Sequence, residues 1–122
     1  MTSSQTPETE VQNGVTVIQL GPDYESLDEH LLTDLRTALF ACVDKADPPR
    51  VVIDLSHTTF FGSAFIEILV KIWKLLTDRE GGDFAVSGLT PNCAEVLQVT
   101  HLDSLWKIYK TREEAVNALS AN

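Results

Sequence analysis

Residues 50–76 read RVVIDLSHTTFFGSAFIEILVKIWKLL, and two hydrophobic periods meet inside this stretch. Val51-Val52-Ile53 is a β-branched run followed by Asp54 and Leu55, which suits a strand buried on both faces. A polar turn, Ser56 to Thr59, leads to Phe60-Phe61, where alternation sends one ring into the core and the other away from it. After Gly62 and Ser63 the apolar positions are 65, 66, 68, 69, 72, 73, 75 and 76, which is the spacing of a helix. Glu67, Lys71, Lys74 and Asp78 share its other face, with Glu67 and Lys71 in the favourable i,i+4 order, worth ~0.2–0.5 kcal/mol. A buried strand therefore feeds a long amphipathic helix through a Gly62-Ser63 joint. The apolar arc of this helix is wider than the ~100° a surface helix turns toward its core. Either it is covered on more than one side, or part of it is a partner surface.

Working outward, residues 1–10 are polar and without period, the composition of a disordered tail, and residues 11–122 form one domain. Val11 to Leu20 predicts a strand, with Asn13-Gly14 a tight turn just before or within it. Gly21 to Ser26 is a loop by its breakers. Ser26 or Leu27 to Ala46 predicts a helix, with Leu31, Leu32, Leu35, Leu39 and Val43 as its stripe and a Ser26/Glu29 capping box. Asp47-Pro48-Pro49 ends it. Gly81-Gly82 stops the central helix, and Phe84-Ala85-Val86 is a third strand. Thr90-Pro91 opens a short helix with Thr90 as its N-cap. Trp106 to Tyr109 is a last short strand. Thr111-Arg112-Glu113-Glu114 is a second capping box, opening a helix to Leu119. Strands alternate with helices four times, the order of a mainly parallel α/β sheet.

The 122 residues suffice for one core, and 43% apolar with 22% charged is an ordinary globular composition. No apolar run reaches the ~18 residues of a membrane span, and MTSSQTPETE lacks the basic and apolar regions of a signal peptide, so a cytoplasmic protein without membrane insertion is expected. A net charge of −9 and a pI near 4.6 argue against nucleic acid as the partner. Cys42 and Cys93 are too few and too far apart for a disulfide scaffold or a zinc site. His30, His57 and His101 show no metal-binding spacing. No cofactor or metal is expected.

Ser63 lies where functional sites of open α/β sheets lie, at a helix start beyond a strand's carboxyl end. Two roles suit it. As an N-cap it contributes ~1 kcal/mol. As a phosphoacceptor it would place about −1.5 to −2 charge on a helix N-terminus, which stabilises anions. Gly62-Ser63 is not a GxSxG elbow, and Gly81-Gly82 is a turn rather than a phosphate loop. With no nucleophile or acid/base arrangement in view, an enzyme is not expected.

From about Asn13 to Leu119 the sequence resembles the STAS domain family of sulfate transporters and anti-sigma factor antagonists. The resemblance rests on the order and spacing of several segments. These are the helix from Leu27, VVIDLSHTTFFGS, Gly81-Gly82 before a strand, LTP opening a short helix, THLDSLWKIY, and TREEA opening the last helix. It is nearest to the free-standing bacterial anti-anti-sigma proteins. The resemblance implies a mixed, mainly parallel sheet of four or five strands with four helices packed mainly on one side. It also implies a serine at the start of the second helix that a partner anti-sigma kinase phosphorylates. The family's usual run is aspartate, serine, a small residue, glycine; here it is Gly62-Ser63-Ala64-Phe65.

The function this implies is transcription regulation, by binding an anti-sigma kinase or a related signalling protein. The protein would be a monomer or weak dimer. Ser63 would be its phosphoacceptor, and Gly62, Ser63, Phe65, Ile66, Asp23 and Tyr24 its contacts. A constitutive STAS interaction module, in a signalling complex or as a lipid-transport subunit, is the alternative, with Ser63 only a cap. A small-ligand binder is a third reading.

Overall fold

The computed structural model describes residues 7–21, 26–27 and 29–120. Seven strands and four helices follow in order: β1 (Glu8–Gln12), β2 (Val15–Gln19), β3 (Ser26–Leu27), α1 (Glu29–Lys45), β4 (Arg50–Asp54), β5 (Phe60–Phe61), α2 (Ser63–Thr77), β6 (Asp83–Ser87), α3 (Pro91–Val99), β7 (Lys107–Tyr109) and α4 (Arg112–Ser120). The main sheet has the order β1-β2-β4-β6-β7, and β3 and β5 form a separate parallel pair. β2, β4, β6 and β7 are parallel neighbours, while β1 is antiparallel to β2.

The first strand differs from expectation. Asn13 and Gly14 both take positive φ, 53° and 80°, the pairing of a two-residue turn that suits the twist of a hairpin. Gln12 therefore pairs with Val15, and the register runs back to Glu8 opposite Gln19. Residues 8–10, which composition places in a tail, are in β1, held by ladder bonds rather than by burial of their side chains.

β4 is central and its last four residues are buried, as the run Val51-Val52-Ile53 requires. Alternate residues go to opposite faces. Val51 and Ile53 join Ile18, Phe84 and Val86 against α1, α2 and α3. Val52 joins Val15, Val17 and Ala85 against Ala115, Val116 and Leu119 of α4. Three helices thus cover one face and α4 the other. Each fully buried Leu, Ile or Phe contributes ~1.5–3 kcal/mol.

The helix ends show which capping signals hold. Thr111 Oγ1 accepts the Glu114 N–H at 3.1 Å, and the Glu114 carboxylate reaches back to the Lys110 N–H at 3.2 Å, one residue before its expected partner. Thr90 stands at the N-cap of α3, but its hydroxyl donates to the Thr58 carbonyl at 2.9 Å instead of capping. Ser26 is in β3, two residues short of α1, and the Ser26 and Glu29 side chains lie outside the description. Two arginines close helix C-termini: Arg79 donates to Val43 and Ala46 carbonyls at the end of α1, and Arg50 to Leu119 near the end of α4.

Candidate functional site

β5 delivers the chain to the joint. Its pairing with β3 sets Ser26 opposite Phe60 and Leu27 opposite Phe61. Phe61 enters the core while Phe60 stays 57% exposed, the split that alternation predicts. Gly62 then takes φ −112° and ψ −167° as the N-cap of α2. Among the described residues nothing lies within 4 Å of where a Cβ on Gly62 would stand. None of them obstructs an aspartate, the family's usual residue there, so the missing carboxylate changes chemistry rather than packing against them.

Ser63 is the first helical residue and is exposed. It is not the N-cap, so the expected capping role falls away: a hydroxyl at this position is already inside the helix. Among the described residues no side-chain hydrogen bond caps α2, and its first turn contains no acidic residue. The first backbone bond is Ile66 N–H to Gly62 C=O at 3.2 Å. The N–H groups of Ser63, Ala64 and Phe65 therefore have no acceptor within the helix. They carry the positive end of the helix dipole, about half an elementary charge, beside an exposed hydroxyl.

The expected contact residues divide. Gly62, Ser63 and half-buried Ile66 lie at the joint. Phe65 does not belong to the surface: it is fully buried, its ring 5.2 Å from that of Phe61 at 47°. Its position begins the buried stripe Phe65, Ile68, Leu69, Ile72, Leu76, which faces the sheet. Asp23 and Tyr24 lie outside the described residues. Phe60, which sequence reasoning left on either side, is the exposed aromatic three positions before Ser63.

One polar cluster escaped the sequence reading. Asp54, 5% exposed at the end of β4, accepts the Ser56 N–H at 3.0 Å on Oδ1. Its Oδ2 receives Arg112 Nε and Nη2 at 3.4 and 3.3 Å, and Arg112 also pairs with Glu10 at 3.5 Å. Arg112 opens α4, where a cation opposes the dipole; the two carboxylates offset that. The cluster ties β1, β4 and α4 together. Gly88 approaches it so closely that a Cβ would come within 2.8 Å of Asp54 Oδ1, and its φ of +73° favours glycine. Cys93 and Cys42 sit with their thiol pKa values raised, chiefly by burial. Among the described residues no three His, Cys, Asp or Glu side chains are placed to hold a metal ion, and no helix is long and apolar enough to cross a membrane.

Comparison with known proteins agrees with this architecture. The STAS domain family model matches residues 6–115. An anti-sigma-factor antagonist (STAS) domain protein from Planctomyces limnophilus is 37% identical, with 95% of this chain and 99% of that chain covered at a TM-score of 0.89. An anti-sigma factor antagonist from Mycobacterium paratuberculosis is 28% identical, with 95% and 94% covered at 0.83. The Bacillus cell fate determinant SpoIIAA in its phosphorylated form, 19% identical with 93% and 99% covered at 0.66, shares the fold. With a five-stranded mixed sheet, four helices, and a family match over nearly its whole length, this chain belongs to the STAS domain family.

Proposed function

We propose that this STAS domain is an anti-sigma factor antagonist-like regulator that binds an anti-sigma kinase or related signalling protein at the start of α2, with Ser63 as the phosphoacceptor. The observation that carries this reading is the exposed Ser63 hydroxyl on the first turn of a helix whose N-cap, Gly62, has no side chain to cap it. A phosphoryl group there meets three N–H groups that have no acceptor within the helix, and no carboxylate in the first turn. It is held by the fold while adding about −1.5 to −2 charge to a surface that a partner must approach. Phe60 and Ile66 supply apolar area beside it. The 37% identical Planctomyces limnophilus protein, an anti-sigma-factor antagonist domain protein, supports the class.

The test is intact mass of the protein isolated from its own cells in growth and in stress, with the site mapped by fragmentation. Phosphate on Ser63, and loss of partner binding in Ser63→Asp, are expected. An unmodified Ser63 in both conditions, or a Ser63→Asp protein that binds as tightly as wild type, overturns the switch.

Gly62 favours a second reading, a docking module that is never phosphorylated, because the acidic neighbour usual in the family is absent. Gly62→Asp separates the two. No described residue fills the space, and an N-cap aspartate stabilises α2 by a few tenths of a kcal/mol or more over glycine. If the wild type is unmodified and Gly62→Asp becomes phosphorylated by the partner kinase, this chain is a module that lost the switch.

A further inference from the structure

We propose that the groove between α1 and α2 is a second docking surface and that its occupant is an acidic amphipathic helix of a partner protein. The groove does not include Ser63, and the proposal does not depend on phosphorylation. Its central basin, about 830 Å³ and open to solvent, is lined by Arg36 and Phe40 of α1 and by Lys71, Lys74 and Leu75 of α2, closing at Thr77 and Asp78. Shallower basins continue it toward Leu32 and Ala64 at one end and Val43 and Arg79 at the other. From Ala64 to Asp78 the groove follows about 21 Å of helix, the length of a partner helix of about 14 residues.

Its floor is apolar and wet. Leu75 is 50% exposed, and Phe40 is half-buried with the Arg36 guanidinium carbon 5.1 Å from its ring centroid. Its walls are basic, which is unexpected on a chain with a net charge of −9 and only nine Lys and Arg. Arg50 and Arg79 are engaged with main-chain carbonyls, Lys107 with Asp83, and Arg112 with Asp54 and Glu10. Arg36, Lys71 and Lys74, like Lys45 and Lys110, form no ion pair among the described residues, and the first three converge on the central basin against one carboxylate, Asp78, with Glu67 and Asp44 lining the shallower ends. Glu67, which the sequence pairs with Lys71, makes no ion pair with it.

Charge complementarity selects the occupant. Three cations without an ion pair among the described residues, above an apolar floor, call for Asp or Glu flanking an apolar stripe, which an amphipathic helix presents along one side. A small ligand in so open a groove would leave much of its own surface in water. An anionic bilayer would meet the rest of an acidic molecule.

The experiment is an NMR titration of the whole chain with a synthetic peptide of about 15 residues, leucine at i, i+4, i+7 and i+11 and glutamate on both flanks of that stripe. A peptide with lysine in place of glutamate is the control, and oleate and anionic vesicles are separate arms. The acidic peptide is expected to shift amides of residues 32–44 and 64–79, with affinity that falls as salt rises. Lys71→Glu/Lys74→Glu should weaken it by roughly tenfold or more, both side chains being exposed; Arg36→Gln should weaken it less. Circular dichroism checks that each variant folds, and Ser63→Asp should bind the peptide as wild type does. Shifts confined elsewhere, equal binding of the lysine peptide, or full affinity in the charge-reversed variant overturns the proposal. Occupation of the groove by oleate or vesicles but not by the peptide overturns it in favour of a lipid.

Discussion

Replacing Phe65 by alanine tests whether this position belongs to the core or to a docking surface. Phe65 is 0% exposed and packs on Phe61. Truncation of a buried phenylalanine costs ~3–5 kcal/mol in lost transfer energy and cavity formation, and the lost ring pair lies within that range. Alanine recovers ~0.5 kcal/mol as the better helix former. The net expectation is a loss of about 2.5–4.5 kcal/mol, a large share of the ~5–15 kcal/mol that holds a domain together. For 122 residues the unfolding entropy is about 0.26 kcal/mol/K, so Tm should fall by about 10–17 °C. Urea titration followed by circular dichroism, with calorimetry for Tm, measures both. Phe65→Leu keeps an apolar side chain and should lose less than half as much. If Phe65→Ala loses under about 1 kcal/mol, the ring is not in the core and the placement of α2 against the sheet is wrong.

The other expectations concern the Asp54 cluster and the thiols. Asp54→Ala should lose about 2–3 kcal/mol in urea unfolding, since the Ser56 N–H loses a charged acceptor while Arg112, still beside Glu10 and partly exposed, keeps a partner. Asp54→Asn, which keeps an acceptor oxygen but not the charge, should lose roughly half that; a loss near zero would mean the carboxylate charge does nothing. Gly88→Ala should destabilise by more than ~1 kcal/mol, through its positive φ and the displaced Asp54 carboxylate, and an unchanged midpoint would refute the close approach. Burial raises both thiol pKa values, so above the ordinary value of 9.0 the unfolded chain releases protons that the folded chain keeps. Stability from these groups is present below pH 9 and is lost as pH rises beyond it, and Cys93 should react with a thiol reagent only on unfolding. Fast native labelling of Cys93 would contradict its burial.

Much of the fold was legible because it is written in local periods. Val51-Val52-Ile53 has no polar alternation, and only a strand covered on both faces tolerates that. The stripe Leu32, Leu35, Leu39, Val43 gave α1, and Thr111 with Glu114 marked the start of α4. β1 was not legible, because ETEVQ buries almost nothing and is a strand only by pairing with β2. Phe65 was misassigned by analogy: the family has glycine there, but the spacing to Ile68, Leu69 and Ile72 already put the ring inside. Asp54 and Arg112 are 58 positions apart, and Arg36 is 35 from Lys71, so neither grouping carries a signal in the linear sequence. The joint itself was found, since a period change at Gly62-Ser63 marks a helix start whatever the side chains do.

The β1–β2 hairpin has a consequence for solubility. An outermost strand offers unpaired N–H and C=O groups as a template for strands of other molecules. β2, with sequence VTVIQ, is uncharged and largely buried, and β1 covers it with a strand that carries Glu8 and Glu10 in the open. Any second strand arriving there meets negative charge on a molecule that is already acidic. The hairpin thus insulates this edge of the parallel sheet from self-association, and a chain cut after Gln12 would present β2 bare and pair with its own copies.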